Sequence, residues 1–363
     1  GIFLGVAALI IVIAVMNGFE TDLRTKILGI NSHVIVMDHR GGMQDPGRVV
    51  AEVLGVPGVV AATPFIYSQA MLKSGNNVTG IVLRGLAVED GQKVINLGKI
   101  REGRLDYLKE GQPIPGLKPE QAGLPGILIG RELAKHLGLF LFDTLHVVSP
   151  AGVSTPMGMV PRMKPFIVVG IFESGFYEYD STLAFLSLKT CQDFLNMGDL
   201  VTGVEVRVDD IYRADGVARA IDRRLGYPYW SRHWMEMNKN LFSALRLEKR
   251  VMFIILSLIV LVAAFNIISA LIMIVMEKNK DIAILKTMGA TRRDIMKIFI
   301  FQGVIVGAIG TLLGCIAGLA VAFNLEALSR FIERLFGFKI LPGDVYYLSE
   351  LPSQVNFGDV GII

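Results

Sequence analysis

Residues 251–276, VMFIILSLIVLVAAFNIISALIMIVM, contain no charged side chain, and no other stretch restricts the possible folds as much. At a helical rise of about 1.5 Å per residue the run is longer than the roughly 30 Å hydrocarbon core of a bilayer requires. A second uncharged run, residues 298–323, passes the same test and is punctuated by glycine. Between them, EKNKDIAILKTMGATRRDIMK (277–297) sets Lys278, Lys280, Lys286, Arg292, Arg293 and Lys297 against Glu277, Asp281 and Asp294. Short basic loops stay in the cytoplasm, so this segment orients the chain and parity places residues 17–250 outside.

A mean hydropathy of +0.52 with 19% charged residues is too apolar for an ordinary soluble chain and too charged for one that is membrane throughout. A few spans plus a large aqueous domain resolve the conflict. The net charge of +3 is spread along the chain and gives no argument for nucleic acid. The opening run GIFLGVAALIIVIAVM reads as a truncated first span, residues 1–17, with no small-residue cleavage site after it. Residues before Gly1 and a further span after Ile363 are therefore expected. Gly1 and Gly5, four apart, either admit a neighbouring helix or face lipid. Cys191 and Cys315 are not expected to pair, since Cys315 lies in a span.

Outside the membrane, a connecting segment over 19–30 leads to a strand at 33–37, a helix at 48–54 and strands at 59–72 and 78–86. The pattern recurs at 204–208, 214–225 and 227–230. Residues 18–86 and 189–230 are thus expected to form one α+β subdomain, with 87–188 as an inserted, mainly β subdomain. Within the insert, a helix at 131–137 leads to strands at 144–148, 166–172 and 182–186. Residues 151–166, AGVSTPMGMVPRMKPF, carry Pro156, Pro161 and Pro165, which withhold backbone donors. They predict a protruding hairpin rather than a ladder strand of the sheet. Residues 231–250 lack Gly and Pro and predict a stalk helix running straight into the second span. Residues 324–363 are expected to be a loop leading to a missing fourth span.

No Walker A, HExxH, GxSxG or CxxC pattern occurs, so the chain is not expected to bind ATP or a metal, or to be an enzyme. His33 and His39 near Asp38 fit no common ligand spacing. Glu173, Glu178 and Asp180 near Ser174 lack a recognisable base and orienting partner. In the charged segment, 281–286 predicts a short helix broken at Gly289, and Thr291 an N-cap paired with Asp294. Apolar Ile282, Ile284, Leu285 and Met288 there want a partner surface. Gly303, Gly307, Gly310, Gly314 and Gly318 are spaced to line one helix face and predict close helix packing. Asn266 predicts either a helix–helix hydrogen bond or part of a substrate path.

The segment 276–303, MEKNKDIAILKTMGATRRDIMKIFIFQG, resembles the cytoplasmic segment of FtsX/MacB-class ABC transporter permeases. With VMNGFE near the start and TPMGMVPRMKPFIVVGIFESGFYEYDS, the whole chain is similar to the LolC/LolE family of lipoprotein-releasing permeases. The resemblance implies a four-span α-helical membrane protein of the bacterial inner membrane, partly truncated here, with a large α+β periplasmic domain. It implies ATPase coupling through Asp281, Ile284, Leu285, Lys286, Thr287, Met288, Gly289, Ala290, Thr291 and Arg292. It implies chaperone docking by the loop Thr155, Pro156, Met157, Met159, Pro161, Arg162, Met163, Lys164 and Pro165. The implied partners are a cytoplasmic ABC ATPase dimer that binds ATP and Mg, a second permease subunit in a homo- or heterodimer, a lipoprotein substrate, a periplasmic lipoprotein chaperone and membrane lipid. A MacB-like efflux permease and an FtsX-like signalling subunit are the alternatives within the same architecture.

Overall fold

The computed structural model describes residues 1–94, 99–114, 116–155, 158–336, 353–356 and 358. The chain divides into two compact units: a helical one with Gly1–Leu23 and the described residues from Asn240 onward, and a sheet-bearing one, Arg24–Lys239. The first helix, α1 (Ile2–Ile30), continues past the apolar run, so residues 19–30 are helical rather than a connecting segment. That segment contains no proline, and Gly18 just before it costs a helix only about 1 kcal/mol.

The sheet-bearing unit continues with β1 (Val34–Asp38) and α2 (Pro46–Leu54). Asp45 accepts from Arg48 N at 3.3 Å to cap α2, whose Val49 and Val53 are buried. Then come the long hairpin β2 (Val59–Ser74) and β3 (Asn77–Leu86), the single turn α3 (Gly91–Val94), β4 (Lys99–Gly103), β5 (Gly126–Gly130) and α4 (Arg131–Leu137). They are followed by β6 (Thr144–Thr155), β7 (Gly158–Glu173), α5 (Tyr177–Thr182), β8 (Leu183–Ser187) and α6 (Leu188–Leu195). The unit closes with β9 (Gly203–Val208), α7 (Ala214–Leu225), β10 (Tyr229–His233) and α8 (Trp234–Met237). The described strands form one ten-stranded sheet in the order β10-β1-β9-β2-β3-β8-β5-β7-β4, with β6 pairing β2 and β7.

Two expectations change here. Residues 87–188 are not a sheet of their own: β8 pairs in parallel with β3 over Val82↔Leu183 to Leu86↔Ser187, and β6 pairs with β2 over Met71↔Val148 to Lys73↔His146. The core agrees, because Ala61 and Leu86 share one apolar cluster with Leu128, Val169, Phe172 and Phe185. Extending the ladder satisfies backbone groups that two separate sheets would leave at additional edges. Residues 151–166 are also ladder strand, since β6 and β7 pair from Thr144↔Ile167 out to Thr155↔Gly158. Prolines are tolerated because, among the described residues, 158–166 of β7 pair only with β6, and Pro161 falls at the irregularity between Ser149↔Arg162 and Val153↔Val160.

The expected stalk is broken as well. Residues 231–233 belong to β10 and pair with β1 (Val34↔His233 to Val36↔Ser231). Trp234 is buried, its backbone N donating to His33 O and its Nε1 to Ile211 O, each at 2.9 Å. After α8 the chain leaves helical geometry at Asn238. The long helix starts only at Lys239.

In the helical unit, α9 (Lys239–Glu277) is followed by α10 (Asn279–Thr287), α11 (Arg292–Phe323) and α12 (Leu325–Phe336). Three helices, at Ile2–Asp22, Phe242–Glu277 and Arg292–Phe323, are long and apolar enough to cross a membrane. The glycine face of α11 is shared between neighbours. Added Cβ atoms at Gly310, Gly314 and Gly318 would lie 3.2 Å from Ile2 Cβ, 2.9 Å from Phe3 O and 3.0 Å from Ile10 Cβ, all on α1. Gly303 faces Leu271 of α9, and Gly307 has no neighbour within 4 Å, so the five glycines do not serve one packing face. The reason is that two different helices flank α11. The Asn266 side chain makes no hydrogen bond among the described residues; beside it lies Gly1, which has no side-chain donor or acceptor to offer. Residues 325–336, expected as loop, are helical.

One buried ion pair ties the sheet together. Arg84 of β3 and Glu205 of β9 are 5% and 3% exposed and bond to each other across β2. The guanidinium also lies over the Phe185 ring, 5.6 Å from its centroid. Burial pushes the Glu205 carboxyl up, and the arginine opposes that. Arg84→Met leaves the carboxyl without its cation, a change expected to cost about 3–5 kcal/mol in denaturant titrations, whereas Arg84→Met with Glu205→Leu recovers most of it. In the single variant Glu205 has a folded pKa above its unfolded value. Stability is therefore fully retained below the unfolded pKa of about 4.3 and falls as pH rises toward the folded one.

Candidate functional site: coupling turn, hairpin and intramembrane groove

Asp281, Ile284, Leu285 and Met288 follow the i, i+3, i+4, i+7 spacing that puts residues on one helix face. Ile284 is 59% exposed and Met288 79%, so α10 presents an uncovered apolar stripe between two helices long enough to cross a membrane. The turn behind it is closed by a pair of backbone bonds. Gly289 N donates to Lys286 O at 3.1 Å and Ala290 N to Leu285 O at 3.0 Å, the paired bonds of a Schellman motif. Its left-handed residue is Gly289, at φ +97°, a conformation that costs a side-chain-bearing residue about 1–2 kcal/mol. Thr287 Oγ1 donates to Ile284 O at 2.7 Å, and Lys278 Nζ lies 3.1 Å from Asp281 Oδ2. Thr291 then caps α11: Asp294 N donates to its Oγ1 and Thr291 N donates to Asp294 Oδ2 at 3.2 Å. Arg292 starts the helix. The ten residues expected to couple thus run from α10 through its closing turn to the cap and first residue of α11.

Of the hairpin residues, Pro156 and Met157 lie outside the described residues. Pro161, Met163, Lys164 and Pro165 are exposed, Met163 to 55%. Arg162 is different. Its Nη1 donates to Phe194 O at 3.0 Å and Asp193 O at 3.3 Å, the carbonyls at the end of α6. Four C-terminal carbonyls of a helix lack intrahelical donors, and a cation there also meets the negative end of the helix dipole. Sequence reading missed this contact because it missed α6. The signal was Ser187, whose side chain accepts from Thr190 N at 3.1 Å, followed by LKTCQDFL and the left-handed Asn196. Lys164 and Phe166 border a pocket of about 480 Å³ with Thr190 and Phe194 of α6.

In the helical unit, α1 and α9 flank a groove of about 840 Å³, walled mainly by apolar residues such as Val6, Leu9, Ile13, Phe253, Leu256 and Val260. Ser257, also on its wall, donates its hydroxyl to Phe253 O at 2.8 Å. The groove thereby loses one free polar group.

Other clusters singled out in the sequence serve the fold. His33 Nδ1 accepts from Val208 N at 3.2 Å, and His39 stacks on Trp230. Glu173 is held by Arg101 and Arg131, and Asp180 Oδ1 accepts from Ser174 N at 2.8 Å. Ser174 Oγ is engaged with the backbone of Phe176.

Residues 1–224 match the model of the MacB-like periplasmic core domain, and residues 253–348 that of the FtsX-like permease C-terminal region. The lipoprotein-releasing system transmembrane protein LolC of Xylella fastidiosa (strain 9a5c) is 39% identical over all of this chain and 85% of its own length. LolC of Neisseria meningitidis serogroup B is 36% identical with the same two coverages. LolE of Haemophilus influenzae is 29% identical over 99% of this chain and 85% of its own.

The chain belongs to the LolC/LolE family.

As a LolC/LolE permease it carries a MacB-like periplasmic core domain, the sheet-bearing unit, and an FtsX-like membrane part that contains the α10 turn. In this LolC/LolE chain Arg162 fastens the arm formed by β6 and β7 to the body of the periplasmic domain. Arg162→Ala should lower the local opening free energy of residues 144–167 by about 1–2 kcal/mol, read by amide hydrogen exchange. Arg162→Lys should restore part of it, since an ammonium retains the charge but not the planar fork.

Proposed function

We infer that this chain is the membrane subunit of an ATP-driven transporter that withdraws lipoproteins from the bacterial inner membrane and passes them to a periplasmic chaperone. The names of its relatives supply the cargo. One geometric observation supports it above the others: a mainly apolar groove lies between two helices long enough to cross a bilayer. Each buried methylene of a lipid anchor contributes about 0.8 kcal/mol, so an anchor of several acyl chains cannot be released into water. It needs an apolar path from lipid to the next apolar site. The groove between α1 and α9 offers the first part of such a path, and a second permease subunit facing it, of the same or a related kind, would complete it.

Energy enters at α10. The exposed Ile284, Leu285 and Met288 form the surface on which a separate ATPase dimer docks, bringing ATP and Mg with it. The Schellman turn and the Thr291 cap let α10 pass a push directly into α11, because the end of one helix and the start of the other are each hydrogen-bonded to the short link between them. The arm formed by β6 and β7, with Met163, Lys164 and Pro165 exposed, is the docking element for the chaperone. Four spans complete the architecture, the fourth beyond the described helices.

Ile284→Asp with Met288→Asp places two carboxylates on the docking stripe and leaves Gly289, Ala290 and the Thr291 cap in place. The double variant should still insert into membranes but fail to co-purify with the ATPase and lose ATP-driven lipoprotein release. Release at the normal rate would refute the assignment of α10 as the coupling helix.

A further inference from the structure

α11 emerges from the membrane into a helix whose own pattern identifies its surroundings. From Lys297, its last charged residue, to Phe323 it runs through 26 uncharged residues, about 39 Å of helix against a hydrocarbon core of about 30 Å. Its end therefore stands at headgroup level, on the side of the bilayer opposite α10. There the helix stops. Asn324 leaves helical geometry (φ −108°, ψ 14°), its Nδ2 donating to Ala320 O at 2.8 Å, and α12 begins one residue later.

α12, LEALSRFIERLF, is about 18 Å long and far too short to span. It has two distinct faces. Leu325, Ser329 and Ile332 are half-buried or buried. Leu328, Phe331 and Leu335, spaced i, i+3, i+7 on a second stripe, are 40%, 64% and 67% exposed. Arg334 lies beside that stripe and Arg330 on the far side of the helix from it, both exposed. Two leucines and a phenylalanine aligned on one short helix read as a contact surface, not as scattered exposure. The adjoining end of α11 shows lipid the same kind of surface, with Ile316 at 58% and Phe323 at 64% exposure.

We propose that α12 lies in the plane of the outer membrane–water interface, with Leu328, Phe331 and Leu335 in the acyl region and Arg330 and Arg334 among the lipid headgroups. The apolar belt of α11 runs into the stripe of α12 with only Asn324 between, so lipid covers both. A short amphipathic helix with cations outside its apolar face is the form that rests at this depth. Held there, α12 fixes the height of the outer end of α11. A push arriving from α10 then tilts the span instead of sliding it along its axis. The inference rests on α11 being a bilayer span and is independent of the cargo.

The test uses the full chain with Cys315→Ala, Cys191 being fully buried, reconstituted in nanodiscs of phosphatidylethanolamine and phosphatidylglycerol. Leu328→Cys, Phe331→Cys, Leu335→Cys and Arg330→Cys are spin-labelled one at a time, and collision with oxygen is compared with collision with a water-soluble nickel chelate. Labels at 328, 331 and 335 should collide more with oxygen, and the label at 330 more with nickel. Nickel access at 328, 331 and 335 equal to that at 330 would place α12 in water and overturn the proposal. Protection of those three from both reagents would show a protein surface over the stripe, a second permease subunit included, and would overturn it as well.

Discussion

In the interior of a bilayer a peptide group has no water to bond to, and that one restriction governs how this chain is arranged. Residues 251–276 and 298–323 meet it by being helical throughout. All the charge that cannot remain in the hydrocarbon is gathered into the 21 residues between them. That link must reverse the chain with equal economy, since its donors and acceptors sit where two spans end. Lys286, Gly289, Ala290, Thr291 and Asp294 do so with a Schellman closure followed directly by a capping box. The result is a turn held from both helix ends that shows a bare apolar stripe to one side.

The sheet-bearing unit solves a different problem, because its backbone can bond to water at any edge. It limits edges by extension. What sequence pattern divides into a core subdomain and an insert is one sheet, with β3 against β8 as the seam and Arg84 with Glu205 buried beside it. The close approach at Gly130, where an added Cβ would lie 2.2 Å from Asp180 O, shows how tightly the strap after β7 is drawn onto β5.

The spans, the break at Gly289, the Thr291 cap, α2 and α7 could be read from the sequence because each is written in local chemistry: absence of charge, a left-handed position, a hydroxyl three residues before a carboxylate, an apolar period. β4 and β5 could not. GILIG is five residues long, and a run that short fits a strand or a buried helical turn equally well. α6 was missed because eight residues carry too few turns to show a period, and with it the seat of Arg162. The first helix was drawn too short because Gly18 and the polar residues after it look like a linker. The stalk was drawn too long: pairing of Ser231, Arg232 and His233 with β1 outweighs their helical propensity, a decision made by strands far away in sequence. α12 was legible in period but hidden by the expectation that a loop follows a span.

The arm made by β6 and β7 also has an outer edge. Beyond the reach of β5, residues 158–166 have β6 on one side and no strand on the other among the described residues. Such an edge ordinarily invites a stranger's backbone to extend the sheet, a hazard for any protein that works among partly unwrapped polypeptides. Two of the donors it would offer are missing at Pro161 and Pro165, and Arg162 and Lys164 add positive charge between them. Strand addition is thereby discouraged, which leaves the side chains of the arm, and not its backbone, as the surface it offers.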